Sequence, residues 1–542
     1  MSQGSRRLTG GDSRQLVRRI LEQPSMVAAV ESLAPQVLGR VIADLGLEDA
    51  GDIVALATTA QLAGIFDEDL WHSASPGKDE AFDADRFALW LEVMLEAGEA
   101  FAVRKLVELP EDLVTLAFHR QVLVINIEEL AVRVSARAGA NPSDDDVQVE
   151  KALESCLAEE IGEYRVISRR HQSWDTFWGL LVALDRDHHE FLSRLLDRLS
   201  AIDAEVIEEN GGLSQVLAAA ESLEADVAGD REDRRAEQGF IAPSSAAAFL
   251  ALARTSKLDA LANSTERDAV TRAYFRELRV EPLQSTKPPA RATSAATSAS
   301  DESGLVELLR EAGIVDSAQT DHLLRGMSDE KAEANLNRFT LALRHLAEQA
   351  PEIHAARMRE LAYLANVLAA GCSLQGRPMR SVEAARAAVA TCNLGLEQLL
   401  AVKGKPGPAT RMIEVTAAER LFLVGWNVLF QAVVLPAAGK ASEILVRAAA
   451  GADDASGKRD LERAATALRS AVAAGRPWAA RRNLEVLEER LDQPSLAALA
   501  ALLGECPTLA GRLSPRENAE FGFISAQEQL GAVREFLAKL GG

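Results

Sequence analysis

Apolar residues along the chain recur at three- and four-residue spacing far more often than they alternate, which predicts helices almost throughout. The pattern is plainest near the C-terminus. There Leu530, Val533, Leu537 and Leu540 form one stripe, and Glu528, Arg534 and Lys539 fall outside it. Three capping boxes are expected to start helices: Thr265 with Asp268, Thr416 with Glu419, and Ser525 with Glu528. In each, the hydroxyl accepts from an early backbone N–H while the carboxylate reaches back to the cap. Val122–Ile127, VLVINI, has the β-branched composition of a short strand, but its helical surroundings assign it to a helix. Leu421–Gly439 carries no charge and approaches the roughly 20 residues that span a bilayer. Lipid would leave Asn427 and Gln431 poorly satisfied, so the segment is read as a buried core helix that Pro436 stops early.

Glu281–Ser303, EPLQSTKPPARATSAATSASDES, breaks the periodicity with Pro, Ser, Thr and Ala and has nothing to build a core from. The expected organisation is a basic disordered tail over 1–12, an N-terminal helical domain over 13–280, a disordered linker over 281–303 and a C-terminal helical domain over 304–542. The fold class is all-α, two helical-hairpin or superhelical halves on a tether. Two internal matches suggest repeats. IADLGLEDAGDIVAL from Ile42 and LVELPEDLVTLAF from Leu106 both read as a helix end, an acidic turn and a new helix. AEQGFI, ending at Ile241, and AEFGFI, ending at Ile524, both offer a glycine stop followed by a serine, Ser244 or Ser525, to cap the next helix.

Composition narrows the function classes. The chain has 542 residues, too many for one ordinary core, and only 5% aromatic residues. Its net charge of -22 repels phosphate backbones at long range, which argues against nucleic acid and favours a basic protein partner or a divalent cation. Cys156, Cys372, Cys392 and Cys506 lie far apart with no paired spacing, as isolated buried thiols in a reducing cytoplasm do. Arg6, Arg7 and Arg14 precede no apolar signal segment, so export is not expected.

Val37–Trp71, VLGRVIADLGLEDAGDIVALATTAQLAGIFDEDLW, resembles the acidic cytosolic superhelical domain of bacterial magnesium transporters. With FALWLEVMLEAGEA and RRAEQGFIAPSSAAAFLALAR after it, the larger pattern is similar to a family of uncharacterised bacterial all-helical proteins, a resemblance that implies no known activity. The transporter's membrane domain and nucleotide-sensing modules have no counterpart.

Several clusters could carry chemistry. In DRDHHEF, a helix would bring Asp185, His188 and His189 to one face for a divalent metal. The apolar stripe of Leu181, Leu184, Phe191, Leu195 and Leu199 instead favours His188 at a core edge with Asp185 as its partner. GADDASGKR from Gly451 fails the phosphate-loop spacing and reads as a solvated loop. GCSLQG from Gly371 fails the nucleophile-elbow pattern at Gln375, which leaves Ser373 as a loop or cap residue. The acidic runs Asp67–Asp69 and Asp144–Asp146 lack calcium-loop spacing and read as solvated turns. Arg476, Trp478, Arg481 and Arg482 form a compact basic and aromatic cluster with Trp478 open to stacking on a guanidinium. Trp174 and Trp178, one turn apart, read as helix-face core. No catalytic, cofactor-binding or metal-binding residue is assigned and no cofactor is expected. The expected function is a cytoplasmic helical scaffold or adaptor for another protein, with no nucleic acid or membrane as partner. The alternative is a metal-dependent enzyme or cation sensor using Asp185, His188 and His189.

Overall fold

A computed structural model of the chain describes residues 26–73, 75–128, 157–207, 212–263, 267–277, 337–402, 409–452, 454–513 and 522–540. The expected linker, the basic tail, Thr265, Cys156 and the Asp144–Asp146 run lie outside them. The described chain is mostly helical, with a few small antiparallel sheets. It forms two compact units. One holds 26–72 and 81–234, and the other holds 73–80, 235–277 and 337–540. The division therefore follows residue 234, and helices Pro243–Thr255, Leu258–Asn263 and Ala269–Glu277, grouped above with the first half, pack into the second core. Periodicity identifies the apolar face of a helix but not the partner that covers it.

The first unit is built on aromatic contacts. Phe66 meets the edges of Phe87 and Trp90, with ring centres 5.7 and 5.2 Å apart, and Phe118 meets Phe177 at 4.8 Å. Helix Thr59–Asp69 starts with a full capping box: Thr58 accepts from the Gln61 N–H, and the Gln61 side chain accepts from the Thr58 N–H. Gln61 Nε2 also donates to the carbonyls of Val30 and Leu33, fastening the preceding helix end. Replacing Thr58 with Ala is expected to cost about 1 kcal/mol of stability, read from chemical unfolding of the full chain.

Val122–Asn126 is a strand, contrary to the helix expected there. It pairs antiparallel with Tyr164–Ser168, which pairs in turn with Ala158–Ile161. Val124 lies opposite Val166, and both are buried. β-branched side chains suit a half-buried pleated face better than a helix, and here that local preference outweighs the helical context.

The core of the second unit surrounds one long apolar helix. Ala418–Leu429 is buried at every position but Arg420 and continues through a π-helical turn, Phe430–Val434, into Leu435–Ala450. Pro436 does not stop it. The wider π turn accommodates the missing N–H and the proline ring, so the helix runs on for 33 residues. By length and composition it is the one described helix apolar enough to cross a membrane, but an 18-residue apolar stretch of it is 72% buried. Asn427 Nδ2 donates to the carbonyls of Ala253 and Ser256, each at 2.9 Å, as a buried core amide requires.

Helix Ser381–Val402 crosses this helix at two glycines. A Cβ on Gly395 would lie 1.9 Å from the Leu421 carbonyl oxygen, and one on Gly425 would lie 2.0 Å from that of Thr391. Only hydrogen side chains allow the backbones to approach so closely.

The helix starts differ from those expected. Asp268 itself caps Ala269–Glu277 by accepting from the Thr271 N–H. Thr416 caps nothing, since the next helix starts after Ala417 with no side-chain cap. At the C-terminal helix, Gln529 rather than Glu528 reaches back, to the N–H groups of Ser525 and Ala526. The acidic-turn repeat is real locally: Glu111 and Asp112 open helix Glu111–Gln121, and Glu48 and Asp49 open a 3-10 turn. The glycine repeat is not. Gly239, at φ 89, ends a helix, whereas Gly522 lies in a strand paired with Thr508–Leu509.

Candidate functional site

Among the described residues, a cluster of buried charge lies where the long apolar helix of the second unit begins. Helix Pro351–Gly371 presents Arg357 and Glu360 one turn apart, both buried. Arg357 Nη1 donates to both Glu360 oxygens at 2.7 Å, and its Nε donates to the Ile413 carbonyl at 2.8 Å. Glu360 also accepts from the Ala418 N–H at 2.7 Å and from Arg267 Nη2 at 3.0 Å. The same Arg267 donates through Nε to Glu419 Oε1 at 2.6 Å and lies over the Phe275 ring. Beside them Tyr363 Oη is 3.1 Å from Thr271 Oγ1, and burial pushes its phenol upward from the usual range. Burial, then the nearby Glu360 charge, raises the Glu419 carboxyl to about 7.

A second buried group in this unit gathers Arg254, Cys372, Ser373, Glu505 and Cys506. Glu505 Oε2 accepts from the Ser373 N–H at 2.9 Å and from its hydroxyl at 3.1 Å, while Arg254 lies 3.7 Å from Oε1. Burial raises the Glu505 carboxyl and lowers Arg254. Burial also raises the thiols of Cys372, Cys392 and Cys506, which are free. A raised, buried thiol is a poor nucleophile, so these three should resist a soluble alkylating reagent in the folded chain and react on denaturation, as mass spectrometry of the labelled peptides would show.

In the first unit the buried centre is Asp203. Its Oδ2 accepts from the Val124 N–H at 2.8 Å and its Oδ1 from Arg169 Nη2 at 2.7 Å. His119 Nδ1 lies 3.2 Å from Oδ1 without the alignment of a hydrogen bond.

The sequence-derived clusters fare unevenly. Helix Trp174–Asp187 ends before His188, and the next begins at His189, so Asp185, His188 and His189 do not share one helix face. His189 Nδ1 pairs with Asp185 Oδ1 at 2.8 Å on the surface, and His188 is exposed rather than at a core edge. No group of three His, Cys, Asp or Glu side chains able to hold a metal occurs among the described residues. Asp67 and Asp69 are not simply solvated. Arg234 grips Asp67 through two donors at 3.0 and 2.7 Å, and Asp69 accepts from Arg86 and from Trp90 Nε1.

GADDASGKR is less a loop than a helix start, since Asp454 accepts from the Gly457 N–H at the head of Ala455–Ala473. GCSLQG is a hairpin. Gln375 and Gly376, at φ 54 and 86, make the two-residue turn between Ser373–Leu374 and Arg377–Pro378. Trp478 does stack on a guanidinium, that of Arg254 at 4.7 Å, and not on a neighbour in its own basic cluster. Trp174 and Trp178 stack on each other at 5.8 Å.

Sequence reasoning missed Glu360, Arg357, Arg267, Asp203 and Glu505. A signal existed for Glu360, which shares a helix face with Tyr363, Leu364 and Val367, and for Arg357 one turn earlier. Arg267 and Glu419 are joined only by the fold.

A sequence-family model described as a family of unknown function, DUF6178, matches residues 1–273. No curated protein and no solved structure matches the chain. Nothing in these comparisons supports the likeness of Val37–Trp71 to magnesium transporters. The match takes in the described residues of the first unit and continues into the second as far as residue 273, past Arg267, one of the two arginines of its charge cluster. With half its length matched, the chain belongs to the DUF6178 family of unknown function.

Proposed function

We propose that the protein is a cytoplasmic helical scaffold or adaptor that works by binding another protein through its outer helical surfaces. The observation that supports this most is the inward commitment of five carboxylates, with Glu419 Oε2 as an exception. The buried Asp67, Asp203 and Glu360 and the half-buried Asp69 and Glu505 spend their oxygens on guanidinium, indole, hydroxyl or backbone donors of their own unit. Groups held in this way fix one packing arrangement and leave recognition to the surface. The net charge of -22 favours a partner with a basic contact face, and the buried free thiols fit a reducing compartment.

Isolation of the tagged full-length chain from its native host tests the proposal. A stoichiometric protein partner is expected at low ionic strength, with its recovery falling as salt screens the attraction. Recovery of the chain alone at both ionic strengths contradicts it.

A further inference from the structure

We propose that Glu360 and Glu419 together hold one exchangeable proton, making the start of helix Ala418–Leu429 a pH-responsive site in the second unit. The geometry distributes donors unequally between the two carboxylates. Glu360 is gripped by Arg357, Arg267 and the Ala418 N–H. Glu419 receives the Arg267 Nε on Oε1 and a pull from its own backbone N–H, and its buried Oε2 has no hydrogen-bond partner among the described residues. Its side chain is 3% exposed. A buried anionic oxygen without a donor loses its hydration uncompensated, so the proton belongs on Glu419 Oε2.

The other groups facing the pair do not cancel this cost. Arg267 is shared between both carboxylates and is 40% exposed, so water screens its charge. Arg357 divides its donors between Glu360 and the carbonyls of Ile413 and Glu414. Arg420 turns away to the carbonyls of Leu261 and Ala262. Cys392 donates to the Ala418 carbonyl, Tyr363 meets Thr271, and Asp268 is occupied in capping its own helix. The first helical turn favours the anion, yet burial and the Glu360 charge outweigh it and hold the carboxyl at about 7.

The folded value lies above the unfolded one. Stability from this carboxyl is therefore fully present below the ordinary glutamate range and is lost as pH rises through about 7. The second unit should accordingly gain stability as pH falls from about 8 to about 6.

Infrared difference spectroscopy of the full-length chain across that range tests the proposal directly. The expected result is a buried protonated-carboxyl band that grows with a midpoint near 7, is lost in Glu419→Gln, and moves to lower pH in Glu360→Gln as the like charge is removed. If Glu419→Gln fails to fold, the wild-type titration and Glu360→Gln still decide. No band titrating near neutrality in the wild type, an unchanged band in folded Glu419→Gln, or an unmoved midpoint in Glu360→Gln overturns the proposal.

Discussion

Gly425→Ala is expected to unfold the second unit or leave it without a cooperative transition. The new methyl carbon would sit 2.0 Å from the Thr391 carbonyl oxygen, a backbone atom that no rotamer change can move. Gly395→Ala should do the same from the facing helix, at 1.9 Å from the Leu421 carbonyl. Overpacking in a tight core costs about 1 to 3 kcal/mol when side chains can shift. Here two buried helices would have to separate, so the loss should reach the upper end of that range or exceed it. Gly439→Ala is the matched control. It lies on the same long helix with open space around the added Cβ, and alanine there should be neutral or slightly stabilising. Thermal unfolding followed by circular dichroism distinguishes the three variants.

Asp203→Ala should be the most damaging single change in the first unit. The carboxylate is wholly buried and joins helix His189–Ile207 to the central sheet through Val124 and Arg169. Its removal strands a buried N–H in the strand and leaves the Arg169 charge without its partner. Breaking a fully buried pair from one side costs about 3 to 5 kcal/mol, and because Arg169 is 35% exposed and keeps its bond to the Val122 carbonyl the loss should fall at the lower end of that range. Asp203→Asn keeps an acceptor for the Val124 N–H while removing the charge, and should cost visibly less. Denaturant unfolding of the two variants beside the wild type gives the comparison.

Elements whose cause is local were legible in the sequence. The stripe of Leu530, Val533, Leu537 and Leu540 is buried as its spacing requires. Leu421–Gly439 is a core helix whose Asn427 is satisfied by backbone carbonyls. Where two local signals competed, the reading could go astray. Val122–Asn126 followed its β-branched composition rather than its surroundings, and Thr416 lost its capping role because the helix started one residue later than the motif implied. Pro436 misled for a different reason. A proline interrupts the regular hydrogen-bond ladder, but a π turn re-registers that ladder, and single-sequence periodicity carries no sign of it.

The buried charge clusters were the least legible. Arg357 and Glu360 could be paired from their spacing on one helix, whereas Arg267 meets Glu419 across 152 positions and Asp203 meets Val124 across 79. A charged residue at an apolar register shows that burial needs a partner, but the partner's identity belongs to the tertiary fold. The Asp185, His188 and His189 proposal failed on a related point. It assumed one continuous helix, and the break at His188 leaves His189 paired with Asp185 but takes His188 out of the group.

The division of the chain after residue 234 is the claim on which the other assignments rest. It places helix Pro243–Thr255 in the core that surrounds Ala418–Leu429, with Phe249 packed near Tyr363 and Phe422. Segment-resolved hydrogen exchange on the full-length chain tests it most directly, because amide protection reports the core to which a helix belongs. Gly425→Ala should strip protection from Pro243–Thr255 together with Ala418–Leu429, and Asp203→Ala should leave both protected. Loss of protection over Pro243–Thr255 in Asp203→Ala, with retention in Gly425→Ala, would return this helix to the first unit and contradict the account.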